Sequence, residues 1–140
     1  MSERRTPWHL WVVAILALLW NAAGAGTIML AQGGRLPDIN PDEASYHAAR
    51  PVWFVVVTDI ALLGAVAGAV ALLLRNRTAV WLFALSLAAI FVSNTYDLAA
   101  GTSRVLANRV AAITTGIIVV IAILELVYAR SLRRRGVLKS

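Results

Sequence analysis

The sequence predicts an all-α membrane protein, a bundle of four transmembrane helices in a single domain, and two observations support this. Of its 140 residues, 60% are hydrophobic and only 14% are charged, and the mean hydropathy is +0.76. A soluble domain of this size has too high a surface-to-volume ratio to bury so much apolar surface. The apolar residues also form four continuous runs of about twenty, the length of a membrane-spanning helix, rather than the alternating segments of a membrane barrel.

The first predicted span covers residues 8–30 and follows Arg4 and Arg5. A cleavable signal peptide is the alternative, because Ala23-Gly24-Ala25 resembles a cleavage site. The apolar run is longer than the region of about 7–15 residues that signal peptides use. We therefore expect this segment to remain in the membrane as a helix.

A polar stretch between residues 32 and 50 contains a predicted short surface helix. Asn40 can cap it, and Pro41 suits the first helical position. We expect the helix over residues 42–49, ending before Pro51. This connection is the only one with room for a structured feature outside the membrane.

Three more spans follow at residues 52–74, 78–98 and 109–129. A turn at residues 75–77 is too short for anything but a tight connection between two of them. A longer loop covers residues 99–108, and a basic tail is predicted over residues 130–140.

The distribution of Lys and Arg predicts the orientation. The N-terminal segment, the central turn and the tail together carry nine of these residues, against four in the two loops at the other side. The positive-inside rule then places both termini in the cytoplasm. We expect the basic residues to set this topology and to contact anionic lipid head groups; they include Arg75, Arg77, Arg130, Arg133, Arg134 and Arg135.

The basic balance raises nucleic-acid binding as an alternative, since the sequence pI is about 11.1. The basic residues instead cluster at the ends of the apolar runs, as membrane orientation requires. The predicted partners are the lipid bilayer and other membrane subunits or further copies of the chain, not nucleic acid.

Polar side chains within the predicted spans are the main candidates for a site. Asn21 lies about 20 Å and Asp59 about 12 Å from opposite boundaries of a layer about 30 Å thick, so their depths nearly match. Other polar residues are predicted to join them in the same layer, namely Asn94 and Asp97 on the third span and Thr114 and Thr115 on the fourth.

Asp59 is the key group of this predicted cluster. It is expected to face an external polar pocket, where it binds a proton or a polar solute and is balanced by Arg104 or Arg109. The alternative is that the cluster only holds helices together through hydrogen bonds. Asp97 is expected to reach water near the boundary, as is Glu125 at the other side of the membrane.

Ala61, Gly64 and Gly68 form a small-residue face on the second span, with a GxxxG pattern. Such a face allows close approach of another helix. Packing inside the bundle is favoured over contact with another subunit, and both alternatives stay open.

No motif for catalysis or cofactor binding is present. The sequence has no cysteine, and its two histidines, His9 and His47, are predicted on opposite sides of the membrane. Haem attachment, thiolate metal sites and a shared histidine metal site are therefore not expected. We predict that the protein is not an enzyme and has no cofactor or metal.

Several short motifs together resemble a family of small four-helix bacterial inner-membrane proteins, often catalogued as hypothetical or as "sugar transporter". These motifs are Thr6-Pro7-Trp8-His9-Leu10-Trp11, Leu18-Leu19-Trp20-Asn21, Gly24, Pro41-Asp42-Glu43, Pro51 with Trp53, Gly64, Leu72-Leu73-Leu74-Arg75, Ser86-Leu87 and Tyr96. The resemblance covers about the first hundred residues. It implies four helices in the bacterial inner membrane and adds almost nothing on activity.

Two functions are weighed. The first is an accessory or scaffold subunit of a larger membrane complex, which fits the small size, the small-residue face and the lack of a catalytic motif. The alternative is a small oligomeric transporter or solute-binding protein that uses Asp59.

Overall fold

The computed structural model describes residues 6–100 and 109–139, and within these ranges the chain is all-helical. Arg4, Arg5 and Arg104, which entered the predicted topology and the predicted balance of Asp59, lie outside the described residues. The helices are α1 (Trp8–Gln32), α2 (Pro41–Ala48), α3 (Val52–Leu73), α4 (Thr78–Ala99) and α5 (Arg109–Arg134). Among them, α1, α3, α4 and α5 are long and apolar enough to cross a membrane, so the predicted four-helix class is confirmed.

Local chemistry sets where the helices begin. Pro7 and Pro51 immediately precede α1 and α3 in an extended conformation. Asn40 caps α2, since its side-chain carbonyl accepts a hydrogen bond from the Asp42 backbone N–H at 3.0 Å, and Pro41 occupies the first helical position. These are preferred residues for helix starts because they satisfy or remove unpaired N–H groups.

The long helices pack in a simple order, with α3 between α1 and α4, and with α5 on α4. We call the end that contains the start of α1, the α3–α4 turn and the finish of α5 the terminal end. The opposite end, with α2, the start of α3 and the finish of α4, is the loop end.

The apolar core lies at the terminal end. Its residues come from all four long helices and from the segment after α5. They are Leu10, Ala14, Ala17, Ala69, Ala71, Leu72, Ala79, Val80, Phe83, Leu126, Ala129, Leu132, Val137 and Leu138.

The segment after α5 turns back into this core. Gly136 adopts a left-handed conformation with φ of 69°, and the Val137 N–H closes the helix end on the Leu132 carbonyl at 3.0 Å. This geometry is the usual way for a glycine to end a helix and reverse the chain. It places the Leu138 side chain in the core, only 1% exposed.

Backbone hydrogen bonds fix the returning segment to the α3–α4 turn. The Arg77 N–H donates to the Lys139 carbonyl at 3.0 Å, and the Lys139 N–H donates to the Arg75 carbonyl. The guanidinium Nε atoms of Arg75 and Arg77 donate to the carbonyls of Val137 and Leu138. The region expected to be a basic tail over residues 130–140 is therefore the last turn of α5 followed by a docked segment.

The loop end is more open than the terminal end. All five buried residues of α5 lie at or after Ala122, and none of residues 109–121 is buried. Four helices therefore close the terminal end, whereas α1, α3, α4 and the short α2 form most of the loop end.

Candidate functional site

Asp59 lies in a groove between α3 and α4 on the outer flank of the bundle. The groove has a volume of about 410 Å³. Apart from Asp59 its lining is apolar or small, and it consists of Val56, Ile60, Leu63, Gly64, Ala67, Leu82 and Leu85. The Oδ1 atom of Asp59 is buried, and it accepts no hydrogen bond from the described part of the chain.

The surroundings of Asp59 differ from the predicted external polar pocket. Val56, Ile60 and Leu63, which neighbour Asp59 on the same side of α3, are all exposed. Arg109, the described candidate for balancing Asp59, is itself exposed at the start of α5 and makes no ion pair with it. The carboxyl group therefore borders an apolar groove that opens away from the bundle interior.

Asn21, the predicted companion of Asp59, has another partner. Its Nδ2 atom donates a hydrogen bond to Oε1 of Glu125 at 2.7 Å, which links α1 to α5. Glu125 is only 8% exposed, so the expectation that it reaches water was wrong. Burial of a carboxylate requires a hydrogen-bond partner, and the Asn21 amide supplies one.

A second polar contact joins the same two helices. The Nδ1 atom of His9 and the hydroxyl oxygen of Tyr128 lie 2.7 Å apart, a hydrogen-bonding distance. Since Glu125 and Tyr128 are three residues apart, they lie on one face of α5, and this face carries both polar contacts to α1.

Asp97 belongs to a polar and aromatic cluster at the loop end. It forms an ion pair with Arg50, and its Oδ2 atom accepts a hydrogen bond from the Tyr46 hydroxyl at 2.8 Å. The Arg50 guanidinium carbon lies 3.6 Å from the ring centre of Tyr46 and 4.7 Å from that of Phe54. We call Tyr46, Arg50, Phe54 and Asp97 the loop-end cluster.

The loop-end cluster corrects the expectation that Asp97 simply reaches water. It also fixes α2 to α3 and α4, because Tyr46 lies on α2 and Phe54 on α3. The sequence analysis did not predict Arg50 as the partner of Asp97, although one signal was available. It lies two residues before α3, and Asp97 lies two residues before the last residue of α4, so antiparallel neighbours bring them level.

The remaining members of the predicted polar layer do not converge on Asp59. Asn94 is half-buried on α4, and its side chain makes no hydrogen bond to any described residue. Thr114 is exposed and Thr115 is half-buried, both on the open half of α5. The layer expected across four helices is thus divided between the α1–α5 contact, the groove and the loop end.

The small-residue face packs inside the bundle, against α4. A Cβ atom added at Gly68 would lie 2.8 Å from Cε1 of Phe83, and one added at Gly64 would lie 3.4 Å from the Ser86 Cβ atom. Ser86 also donates a hydrogen bond to the Ala61 carbonyl at 2.6 Å. The face predicted at Ala61, Gly64 and Gly68 therefore lets α3 and α4 approach closely.

Five of the six predicted basic residues fall into two groups, and Arg135 stands apart from both. Arg75 and Arg77 bind the returning segment. Arg130, Arg133 and Arg134 line a cavity of about 300 Å³ against α4, while Arg135 is exposed.

The described residues include no group of three His, Cys, Asp or Glu side chains that could hold a metal ion. The fold defines a class, a small all-helical protein with four helices that could cross a membrane. No protein-family model, curated protein or solved structure matches the chain. The resemblance to the small inner-membrane family consequently stays a prediction.

Proposed function

We propose that the protein is an accessory or scaffold subunit of a larger membrane complex and that it binds one transmembrane helix of a partner in the Asp59 groove. The supporting observation is the Asp59 carboxyl group, which has a buried oxygen with no hydrogen-bond partner among residues 6–100 and 109–139, in an otherwise apolar groove. The bacterial inner membrane, with both termini in the cytoplasm, is the location that we propose.

The free-energy cost of placing a carboxylate in lipid favours a partner helix at Asp59. A carboxylate facing hydrocarbon costs at least about 2.5–3.5 kcal/mol at the centre of a membrane. Asp59 lies about 10 Å along α3 from its first residue, well inside the helix. Two changes remove this penalty: protonation, or a hydrogen-bond donor supplied from outside the chain.

The groove suits a helix as the source of that donor. Exposed Val56, Ile60 and Leu63 give α3 an apolar flank around the carboxyl group. Helix association in lipid depends on close packing and interhelical hydrogen bonds, and this flank offers both. A partner helix with a Lys, Arg, Asn or Gln side chain at the matching depth would complete the site.

Charge makes a second copy of the same chain a poorer partner. A two-fold interface presents the same surface from both subunits, so two Asp59 carboxyl groups would face each other. Like charges at short distance oppose ionisation of both groups. A different subunit with a donor avoids this repulsion.

The transport alternative has a weaker basis in the geometry. From Asp59 toward the terminal end, the α3–α4 interface is filled first by the Ser86–Ala61 hydrogen bond and then, about 13 Å along α3, by Phe83 against Gly68. A pathway for a solute would therefore have to run along the groove between copies of the chain.

Extraction of the native membrane in mild detergent, followed by native mass measurement, tests the proposal. Wild-type protein should co-purify with a larger complex at fixed stoichiometry. Asp59→Leu removes the acceptor and Leu63→Trp fills the groove, so each should release the partner. Asp38→Asn, at an exposed acid, and Leu124→Trp, on an exposed face of α5, are the matched controls and should retain it.

Two results would overturn the proposal. One is a homodimer with proton-coupled solute flux that Asp59→Asn abolishes, which would support the transport alternative. The other is a monomer that co-purifies with nothing in every variant. Labelling of the two termini in intact cells and in opened cells tests the proposed orientation separately.

A further inference from the structure

We propose that Arg130, Arg133, Arg134 and Trp81 form a binding site for the phosphate group of an anionic phospholipid. The site is the cavity of about 300 Å³ between the last turns of α5 and the first turns of α4. It lies at the terminal end, away from the Asp59 groove, and does not depend on the proposed subunit function.

The helix period brings the three arginines together. Arg130, Arg133 and Arg134 are spaced i, i+3 and i+4, and such residues share one face of a helix. Opposite them, Val80, Trp81 and Ala84 line the other wall of the cavity. One wall is therefore cationic and the other is apolar and aromatic, which matches a lipid with a charged head and apolar chains.

The guanidinium groups on this wall are available for a ligand. None of the three forms an ion pair or a side-chain hydrogen bond with another described residue. Arg75 and Arg77 at the same end differ, because their Nε atoms are bound to carbonyls of the returning segment. The described acid nearest in sequence, Glu125, is buried and receives its hydrogen bond from Asn21.

The depth of the cavity matches the head-group region. With 26 residues, α5 is about 39 Å long, whereas the hydrocarbon layer is about 30 Å thick. About 9 Å of the helix therefore lies outside the hydrocarbon, and the arginines in the last turns place that excess at this end, because charged side chains are costly inside hydrocarbon. Trp81 is 71% exposed, and exposed tryptophans at helix ends are typical of the membrane interface.

The three arginines of the cationic wall favour a phosphate group as the ligand. Arginine binds phosphate oxygens through paired N–H donors in a fixed geometry, and basic pockets between transmembrane helices bind anionic lipid heads. Three guanidinium groups carry more charge than one phosphodiester neutralises. We therefore expect cardiolipin, with two phosphates, to bind more tightly than phosphatidylglycerol, and phosphatidylcholine to bind least.

The test measures lipid retention by native mass spectrometry on purified protein in neutral detergent, where membrane orientation plays no part. Phosphatidylcholine, phosphatidylglycerol or cardiolipin is added in turn. Each of Arg130→Gln, Arg133→Gln and Arg134→Gln should weaken cardiolipin retention about fivefold, as expected for one cation near an anionic head group. Trp81→Ala should weaken it as well, without altering the charge.

Lys139→Gln is the matched control, because it removes one exposed positive charge from the same end of the bundle without touching the cavity. It should leave retention unchanged. Arg133→Lys keeps the charge but loses the paired donors, and it should retain less cardiolipin than wild type. Circular dichroism of each variant confirms that the helices are intact.

A competition experiment distinguishes a lipid head group from free phosphate as the ligand. Inorganic phosphate in large excess should not displace cardiolipin, because it lacks the apolar chains that contact the aromatic wall. Displacement by inorganic phosphate would overturn the lipid assignment. Equal losses in Lys139→Gln and in the cavity variants would overturn the site itself, since they would show a diffuse basic surface.

Discussion

The two ends of the bundle are held together by different chemistry. At the terminal end, fully buried apolar residues of the helices, such as Leu10 and Leu72, form one core with Leu138 of the returning segment. At the loop end, an ion pair between Arg50 and Asp97 lies among aromatic rings, and the first half of α5 contributes no buried residue.

This difference follows from the solvent. Lipid tails are as apolar as Leu, so burial of apolar surface from lipid gives little driving force between helices. The hydrophobic effect operates where water is the alternative, and the segment at Val137 and Leu138 lies beyond the predicted span. An apolar core can therefore be stabilised there by exclusion of water, while the middle of the bundle depends on close packing and polar contacts.

The ion pair at the loop end should give the largest effect. Arg50→Met leaves the Asp97 carboxylate partly buried with its charge uncompensated, which costs about 3–5 kcal/mol for a buried pair. The free energy of unfolding, measured by denaturing detergent in mixed micelles, checks this. Arg35→Met, at an exposed arginine in the α1–α2 connection, is the control. If both variants were equally stable, the pair would contribute no more than a surface charge.

Truncation of a side chain in the apolar core should give the second-largest loss of stability, and it affects the terminal end. Leu138→Ala removes a side chain that is 1% exposed, and such cavities cost about 2–5 kcal/mol. Thermal unfolding compares it with Leu124→Ala, whose side chain is 60% exposed on α5 and which should be near neutral. If Leu138→Ala lowered the unfolding temperature only slightly, the returning segment would contribute little to the stability of the core.

The packing between α3 and α4 should respond to the addition of one methyl group. Gly68→Ala places a Cβ atom 2.8 Å from the Phe83 ring, and overpacking of this kind costs about 1–3 kcal/mol. Gly64→Ala meets Ser86 only at 3.4 Å and should cost less. Gly116→Ala, with nothing within 4 Å, is the neutral control. Chemical cross-linking between α3 and α4 would report any separation, and the reverse order of the three variants would contradict the packing.

The α1–α5 hydrogen bond should give the smallest effect. Asn21→Ala removes the donor to Glu125 and should cost between about 0.6 and 1.7 kcal/mol, the average and the maximum for such bonds in a membrane protein. A double-mutant cycle with Glu125→Gln measures the coupling between the two side chains. Asn94→Ala, at a half-buried amide with no described partner, should show no coupling to Glu125. Coupling of equal size in both cycles would argue against a specific bond.

Much of the fold was predictable from the sequence because membrane thickness dictates the length of each apolar run. The spans expected at residues 52–74 and 78–98 differ from α3 and α4 by a single residue at one end. The start of α2 was also accessible, since Asn40 and Pro41 are local signals that need no tertiary contact.

The rotation of each helix about its axis was not predicted correctly. For α3, part of it could have been predicted from the helix period. At about 100° per residue, Ala61, Gly64 and Gly68 lie about 140–200° around α3 from Asp59. Packing of the small-residue face against α4 therefore leaves Asp59 on another side of α3, at the groove.

Other features depend on pairs that no local pattern encodes. The Asn21–Glu125 bond joins residues 104 positions apart, and hydropathy says nothing about which polar side chains meet. The return of Val137 and Leu138 into the core depends on hydrogen bonds with the α3–α4 turn. These bonds can form only once the helices are assembled. Candidate sites built from matching depths alone therefore missed the actual partners.

The bonds of that turn also have a consequence for the order of assembly. Arg75 and Arg77 obtain partners from residues 62 and 61 positions further along the chain. During synthesis, α3 and α4 can insert as a paired hairpin while these donors still point into water. Their carbonyl partners exist only once the chain has been synthesised through Leu138, so these hydrogen bonds form after α3 and α4 are complete.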